Sequence, residues 1–243
     1  MPLSHPEIPA DERLIVALDY ADADAARALV ARLGDSVKHY TIGLELLTGG
    51  EYFRLLAELK AAGKRVFADL KLHDIPATVA AAVAGMRRHA PGLLTLHAYP
   101  AAISAAREVA GDTALLAVTV LTSIGAEELA ADGLTDSPAD VVLRRARASV
   151  AAGARGLVCS GQEAALLRRE LGHGPLIVCP GIRTTPGGDD QKRTVSVAEA
   201  FANGADYIVV GRPIRQSTDP AASARLIQDS INQSLMEHTS AID

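Results

Sequence analysis

Asp69, Lys71 and Asp74 lie close together and form the sharpest chemical signal in the sequence. Side chains two apart on a strand point to the same face, so we expect Asp69 and Lys71 to project together. Carboxylates beside an ammonium favour its protonated form. This predicts that Lys71 is a proton donor and not a Schiff-base nucleophile. Asp74 lies in the turn before the next helix, where it folds back towards the pair or reaches into a neighbouring subunit.

Two further segments combine glycine with arginine, which is typical of phosphate recognition. Gly211-Arg212 follows one apolar run, and Pro180-Gly181-Ile182-Arg183 follows another. Glycine lets backbone N–H groups approach an anion closely, and arginine adds forked donors. Residues 184–193, which include Gln191, are polar and glycine-rich, and they are long for a loop between a strand and a helix. We expect this segment to close over a bound phosphate.

Polar residues lie at or near the ends of other apolar runs as well. Asp19 is suited to accept hydrogen bonds from ligand hydroxyls, and Thr41 occupies an equivalent position in the next run. Thr122 and Ser123 are suited to hold a planar polar ring, although a turn-forming role is the alternative.

Eight short apolar runs predict strands that are covered on both faces, as in a parallel sheet. Amphipathic Ala/Leu-rich stretches alternate with them and predict helices. The strands are expected at residues 14–18, 39–43, 65–70, 93–97, 115–120, 156–159, 176–179 and 207–210. The helices are expected at residues 23–33, 52–62, 77–89, 101–110, 139–151, 162–171, 197–202 and 221–234.

This alternation predicts a closed (β/α)₈ barrel, the α/β architecture known as the TIM barrel. The competing architecture is an open doubly wound sheet, but no glycine fingerprint follows the first strand. Polar groups at the C-terminal strand ends would then form the active site, with phosphate bound after strands seven and eight. We expect one domain over residues 1–243, with residues 1–10 and 235–243 frayed and residues 122–137 inserted at the active site.

Composition excludes several classes of function. The net charge is −5, the pI is about 5.8 and aromatic residues make up 3%, so a nucleic-acid surface is not expected. No apolar run approaches the roughly 20 residues of a membrane span, and the polar start is unlike a signal peptide. Two cysteines, Cys159 and Cys179, form neither a disulfide framework nor a metal site, which suits a reducing cytoplasm.

On these residues the sequence resembles the bacterial orotidine 5′-monophosphate decarboxylases. The most specific element is Asp-x-Lys-x-x-Asp-Ile-Pro, from Asp69 to Pro76. Supporting elements are Leu121-Thr122-Ser123, Pro180-Gly181-Ile182-Arg183, Asp190-Gln191 and Gly211-Arg212. The resemblance covers nearly the whole chain and implies a cytoplasmic, homodimeric carboxy-lyase of pyrimidine biosynthesis. Such an enzyme converts orotidine 5′-monophosphate to uridine 5′-monophosphate and CO₂ without a metal or organic cofactor.

The resemblance also implies roles for individual residues. Asp69 and Lys71 would flank the reacting carbon, and Asp74 would complete the partner subunit's site. Asp19 would bind the ribose, and Thr122 and Ser123 would lie near the pyrimidine. Phosphate would be bound by Gln191, Gly211 and Arg212, with Arg183 nearby. Further substrate contacts are expected from Lys38, Thr41, Ile75 and Thr78.

One position departs from the family. The family has a lysine immediately before Ile-Gly on the second strand, where this chain has Thr41 before Ile42-Gly43. Strand alternation points Lys38 to the opposite face, so it substitutes only if the strand starts late. Two other functions stay open. One is a magnesium-dependent sugar-phosphate decarboxylase or aldolase of the same superfamily, and the other is a nucleotide-binding protein without catalysis.

Overall fold

Eight parallel strands form a closed barrel in the computed structural model, which describes residues 5, 7–183 and 193–240. The strands pair in chain order, and the eighth closes on the first. The predicted (β/α)₈ barrel is thus confirmed, and the open sheet is excluded. The strands are β1 (Leu14–Ala17), β2 (His39–Gly43), β3 (Arg65–Leu72), β4 (Leu93–His97), β5 (Ala114–Val118), β6 (Gly156–Val158), β7 (Leu176–Cys179) and β8 (Tyr207–Val210).

Helices between the strands cover the outside of the barrel. They are α1 (Ala23–Leu33), α2 (Leu44–Thr48), α3 (Tyr52–Ala61), α4 (Pro76–Arg87), α5 (Pro100–Val109), α6 (Ala126–Ala131), α7 (Pro138–Ala151), α8 (Ala164–Leu171), α9 (Val197–Ala202), α10 (Arg212–Arg215) and α11 (Pro220–Ser240). The sequence pattern did not predict α2, α6 and α10, which are short and lie between a strand and the longer helix that follows it. Helix α6 lies in the expected insertion at residues 122–137.

Local signals explain where two of the helices, α7 and α9, begin. Ser137 caps α7 by accepting a hydrogen bond from the N–H of Asp140, and Pro138 occupies the first turn. Ser196 and Glu199 form a reciprocal capping box at α9. Each device satisfies N–H groups that the first helical turn leaves without partners.

The core has two layers because strand residues alternate between the barrel interior and the helix-facing side. Ile15, Phe67 and Leu116 are among the residues that fill the interior. Leu14 and Val16 are among those that pack against the helices. Burial on both faces is the physical reason for the near-continuous apolar runs in the sequence. At the C-terminal ends of the strands, the residues at inward-facing positions are polar, and they form the candidate site.

Helix α11 and the residues before β1 form the two described ends of the chain. Helix α11 continues to Ser240, beyond the predicted end at residue 234, with Ile231 and Ser234 buried along it. Residues 235–240 belong to this helix, while residues 241–243 lie outside the described part. Near the start, Arg13 donates a 2.7 Å hydrogen bond to the carbonyl of His5, and Ile8 packs under the barrel interior. In the described ranges, no helix is long and apolar enough to cross a membrane.

Candidate active site

A pocket of about 280 Å³ opens at the C-terminal ends of the strands. Its apolar wall includes Phe67, Val118 and Val158, and the seventh and eighth strands contribute the loops that follow them. The predicted site residues that line this pocket are Asp19, Thr41, Asp69, Lys71, Thr122, Ser123, Arg183, Gly211 and Arg212. Positions that are far apart in the chain thus meet in one cavity.

Strand β3 carries the two central charges on an irregular stretch. Ala68 pairs with Leu94 and Leu72 pairs with Leu96, so residues 69–71 lie opposite a single residue of β4. Two extra residues preserve the alternation of faces, so Asp69 and Lys71 both point into the pocket as predicted. Lys71 has a φ of 47°, a left-handed conformation that is uncommon outside glycine.

Asp69 and Lys71 form an ion pair that lines the pocket. Lys71 Nζ lies 2.5 Å from Asp69 Oδ2, and their side chains are 32% and 27% exposed. The hydroxyl of Thr95, on β4, donates to Asp69 Oδ1 at 2.8 Å and accepts the N–H of Lys71 at 2.9 Å. Sequence reasoning assigned no role to Thr95, although a polar residue at an inward position of an apolar strand was the available signal.

Asp19 lies at the mouth of the pocket beside Gly211. A methyl group on Gly211 would lie 3.5 Å from Asp19 Oδ2, so the glycine leaves room next to the carboxylate. Although the residue is exposed, the surrounding protein desolvates its carboxylate and raises the pKa of Asp19. The charge of Arg215 opposes this rise, whereas that of Asp69 adds to it. The sequence did not predict a role for Arg215, because an arginine inside a short helix belongs to no recognisable motif.

Thr41 lines the pocket at the second strand. It is 3% exposed, and its hydroxyl is buried without a hydrogen-bond partner among the described residues. Lys38 does not replace the family's lysine. Strand β2 begins at His39, and Lys38 forms an ion pair with Asp11. The prediction that Lys38 contacts substrate is wrong, since this side chain lies near the N-terminal end of the barrel.

The loops after β7 and β8 bring glycine and arginine together. Gly181 adopts a φ of 79°, which favours glycine, and it turns the chain so that Pro180 and Arg183 both line the pocket. Arg183 Nη1 donates to the carbonyl of Ile182 at 2.8 Å. On the neighbouring strand, Gly211 and Arg212 line the same cavity. Gln191 and residues 184–192 lie outside the described residues.

Asp74, Ile75 and Thr78 do not line this pocket. All three are exposed, and Ile75 is 65% exposed. Asp74 Oδ1 accepts the N–H of Ile75 at 2.6 Å, which fixes the turn before α4. Within one subunit these residues therefore form an outward-facing rim next to the site.

No cluster of three or more metal-ligating side chains occurs in the part of the chain that the structure describes. The pocket offers instead a carboxylate–ammonium pair, a second carboxylate and two arginines. A (β/α)₈ barrel with this arrangement at its C-terminal face belongs to the class of enzymes that act on anionic substrates by acid–base and electrostatic chemistry.

Comparison with known proteins identifies the family. The orotidine 5′-phosphate decarboxylase / HUMPS family matches residues 12–227, and the chain belongs to it. The orotidine 5′-phosphate decarboxylase of Xanthomonas euvesicatoria pv. vesicatoria (strain 85-10) is 54% identical over 232 residues, which cover 94% of this chain and 96% of the relative. That of Stenotrophomonas maltophilia (strain K279a) is 54% identical over 228 residues, covering 93% and 95% respectively.

A solved structure agrees with these relatives. The crystal structure of orotidine 5′-phosphate decarboxylase from Lactobacillus acidophilus superposes with a TM-score of 0.81 at 31% identity, covering 91% of this chain and 99% of the other. The resemblance found in the sequence motifs is confirmed, and so is the carboxy-lyase function that it implied.

Proposed function

We propose that this pocket decarboxylates orotidine 5′-monophosphate at C6, yielding uridine 5′-monophosphate and CO₂ in pyrimidine biosynthesis. The observation that carries the proposal is the Asp69–Lys71 pair, 2.5 Å apart, in a cavity that Arg183 and Arg212 also line. Loss of CO₂ leaves an electron pair on a ring carbon without an adjacent electron sink. A site for this reaction must therefore stabilise a carbanion directly.

Lys71 supplies that stabilisation. Two unit charges 4 Å apart interact by about 4 kcal/mol at an effective dielectric constant near 20. The ammonium of Lys71 beside C6 lowers the barrier by an amount of this order and then transfers its proton to the carbon. No metal or organic cofactor is needed for this step, because the lysine provides both the charge and the proton.

Asp69 holds the ammonium in place through the ion pair. Its carboxylate would lie near the departing carboxylate of the substrate. Repulsion between the two negative groups is relieved as CO₂ leaves, which lowers the barrier relative to the bound substrate.

The remainder of the nucleotide positions C6 over Lys71. We assign phosphate binding to Gly211, Arg212 and Gln191 with Arg183 nearby, ribose binding to Asp19 and Thr41, and pyrimidine contacts to Thr122 and Ser123. The buried Thr41 hydroxyl supports its assignment, because a ligand hydroxyl would provide a hydrogen-bond partner. Binding energy from the phosphate organises the reacting end of the substrate.

We further propose a homodimer in which Asp74, Ile75 and Thr78 enter the partner's site. The support is an exposed rim after three consecutive strands: Leu44 is 53%, Ile75 65% and Tyr99 51% exposed. His73 stacks on Tyr99 with ring centroids 4.5 Å apart, which fixes this rim. Apolar side chains grouped beside a polar site are typical of a subunit interface. We also place the protein in the cytoplasm, which suits its two buried free thiols, Cys159 and Cys179.

The test is to follow the absorbance of orotidine 5′-monophosphate after addition of the purified chain, with and without EDTA. We expect turnover that EDTA does not change. Turnover lost with EDTA would support a metal-dependent enzyme of the same superfamily. The other alternative, a nucleotide-binding protein without catalysis, predicts that uridine 5′-monophosphate binds while the orotate nucleotide is not converted.

A further inference from the structure

Thr95 lies opposite the irregular stretch of β3. The register places residues 69–71 against this one residue of β4, so the regular ladder of backbone hydrogen bonds is interrupted there. We propose that Thr95 is a positioning residue that sets the geometry of Asp69 and Lys71 through its hydroxyl. This inference rests on the proposed decarboxylation and adds a residue to its machinery.

The hydroxyl of Thr95 uses both of its hydrogen-bonding capacities on the catalytic pair. Its one proton goes to Asp69 Oδ1 at 2.8 Å, and its oxygen accepts the N–H of Lys71 at 2.9 Å. A single side chain therefore connects the carboxylate of one partner with the backbone of the other. The Lys71 Nζ contact occupies the second oxygen, Oδ2, so the carboxylate is held from two sides.

The backbone contact matters because Lys71 is in an unfavourable conformation. Its φ of 47° is rare for a residue with a side chain, and such conformations persist only where the surroundings enforce them. The Thr95 hydroxyl provides the partner that a regular strand would have given to the Lys71 N–H. Without it, that N–H would compete for another acceptor and the ammonium would be displaced from Asp69.

Thr95 acts from behind the pair and not on the substrate. It is 0% exposed and is absent from the residues that line the pocket. Its removal should therefore alter the reacting groups and leave the phosphate and ribose contacts intact. This separates Thr95 from residues whose loss weakens nucleotide binding.

The experiment compares Thr95→Val, Thr95→Ser and Thr113→Val with the wild type. Valine keeps the shape and removes the hydroxyl, whereas serine keeps the hydroxyl. Thr113 is the matched control, since it is also buried and donates to a backbone carbonyl, that of Pro91, at 3.1 Å, before β5 begins. The measurements are kcat and KM for orotidine 5′-monophosphate, the Kd for uridine 5′-monophosphate and the melting temperature.

We expect Thr95→Val to lower kcat by roughly 10- to 100-fold, the effect of one lost hydrogen bond to a charged group. The Kd should stay unchanged, Thr95→Ser should recover most of kcat, and Thr113→Val should keep the wild-type kcat. Wild-type kcat in Thr95→Val, an equal loss in Thr95→Ser, or an equal loss in Thr113→Val would each overturn the inference. If Thr95→Val does not fold, Thr95→Ala takes its place under the same criteria. If the wild type shows no turnover, the proposed function is overturned as well. If the wild type is active and the Thr95 variants keep its kcat, only the inference is overturned.

Discussion

Glu163 and Arg193 form a buried ion pair, with Arg193 Nη1 2.5 Å from Glu163 Oε1. The other end of the guanidinium donates to the carbonyls of Val120 and Leu121, at 3.1 and 3.0 Å. These carbonyls immediately precede Thr122, which lines the pocket. The pair thus ties the chain that enters α9 to the segment assigned to the pyrimidine.

Replacing Glu163 with glutamine should destabilise the fold strongly. The substitution leaves the Arg193 charge buried without its counter-charge, which costs about 3–5 kcal/mol. Glu170→Gln is the matched control, because its partners Arg147 and Arg169 are both more than half exposed and such surface pairs contribute about 1 kcal/mol or less. Urea unfolding of both variants measures the difference. Equal losses would show that Arg193 does not depend on this carboxylate.

Lys71→Ala should abolish almost all turnover while the barrel still folds. The variant loses both the charge that stabilises the carbanion and the proton donor. Lys38→Ala is the control, since Lys38 pairs with Asp11 away from the pocket, and it should retain wild-type activity. The measurements are turnover of orotidine 5′-monophosphate and the circular dichroism spectrum. Near-normal activity of a folded Lys71→Ala protein would remove the mechanism.

The barrel could be predicted from the sequence because both faces of its strands are apolar, and such strands appear in the sequence as continuous apolar runs. Strands β2, β4, β7 and β8 have the bounds that the pattern predicts. The irregularity in β3 could not be predicted in this way, because it depends on pairing with β4 rather than on the residues of β3 themselves. Hydrophobic periodicity reports which face is buried but not which partner residue lies opposite.

The sequence identified site residues where glycine, arginine or an acidic residue directly follows a strand. It did not identify contacts between side chains that are distant in the chain. Asp69 and Lys71 project together as expected, although the left-handed φ of Lys71 was not foreseen. The Arg193–Glu163 pair joins residues 30 positions apart. Such a pair has no short-range signature, because each partner is determined by the packing of loops after different strands.

Arg212→Ala should weaken binding of the nucleotide through its phosphate. Loss of hydrogen bonds to a charged group predicts a Kd for uridine 5′-monophosphate that is roughly 10- to 100-fold higher. Binding of uridine, which has no phosphate, should not change. Arg155→Ala, an exposed arginine just before β6, is the control. Calorimetric titration with both ligands checks this, and an unchanged nucleotide Kd would place the phosphate elsewhere.

Stability should fall with acidification because of His39. Burial lowers the pKa of His39 from 6.5 to about 3, so the folded protein keeps the ring neutral. The unfolded chain takes up a proton below pH 6.5, which favours unfolding by about 1.4 kcal/mol per pH unit down to the folded pKa. His39→Phe keeps an aromatic ring against Tyr207 and should flatten this dependence between pH 6.5 and 5. Urea unfolding of the wild type and of His39→Phe across this range measures the two slopes, and equal slopes would contradict the prediction.

Thr41→Lys should raise kcat/KM for orotidine 5′-monophosphate. Among the described residues that line the pocket, Asp19 and Asp69 supply carboxylates and Lys71 supplies the one ammonium, and Thr41 lines the same cavity. A second ammonium there would complement the second carboxylate and offset its repulsion of an anionic substrate. Thr41→Met is the control, because it adds comparable length without charge. Equal kcat/KM in both variants would mean that filling the space, and not charge, governs this position.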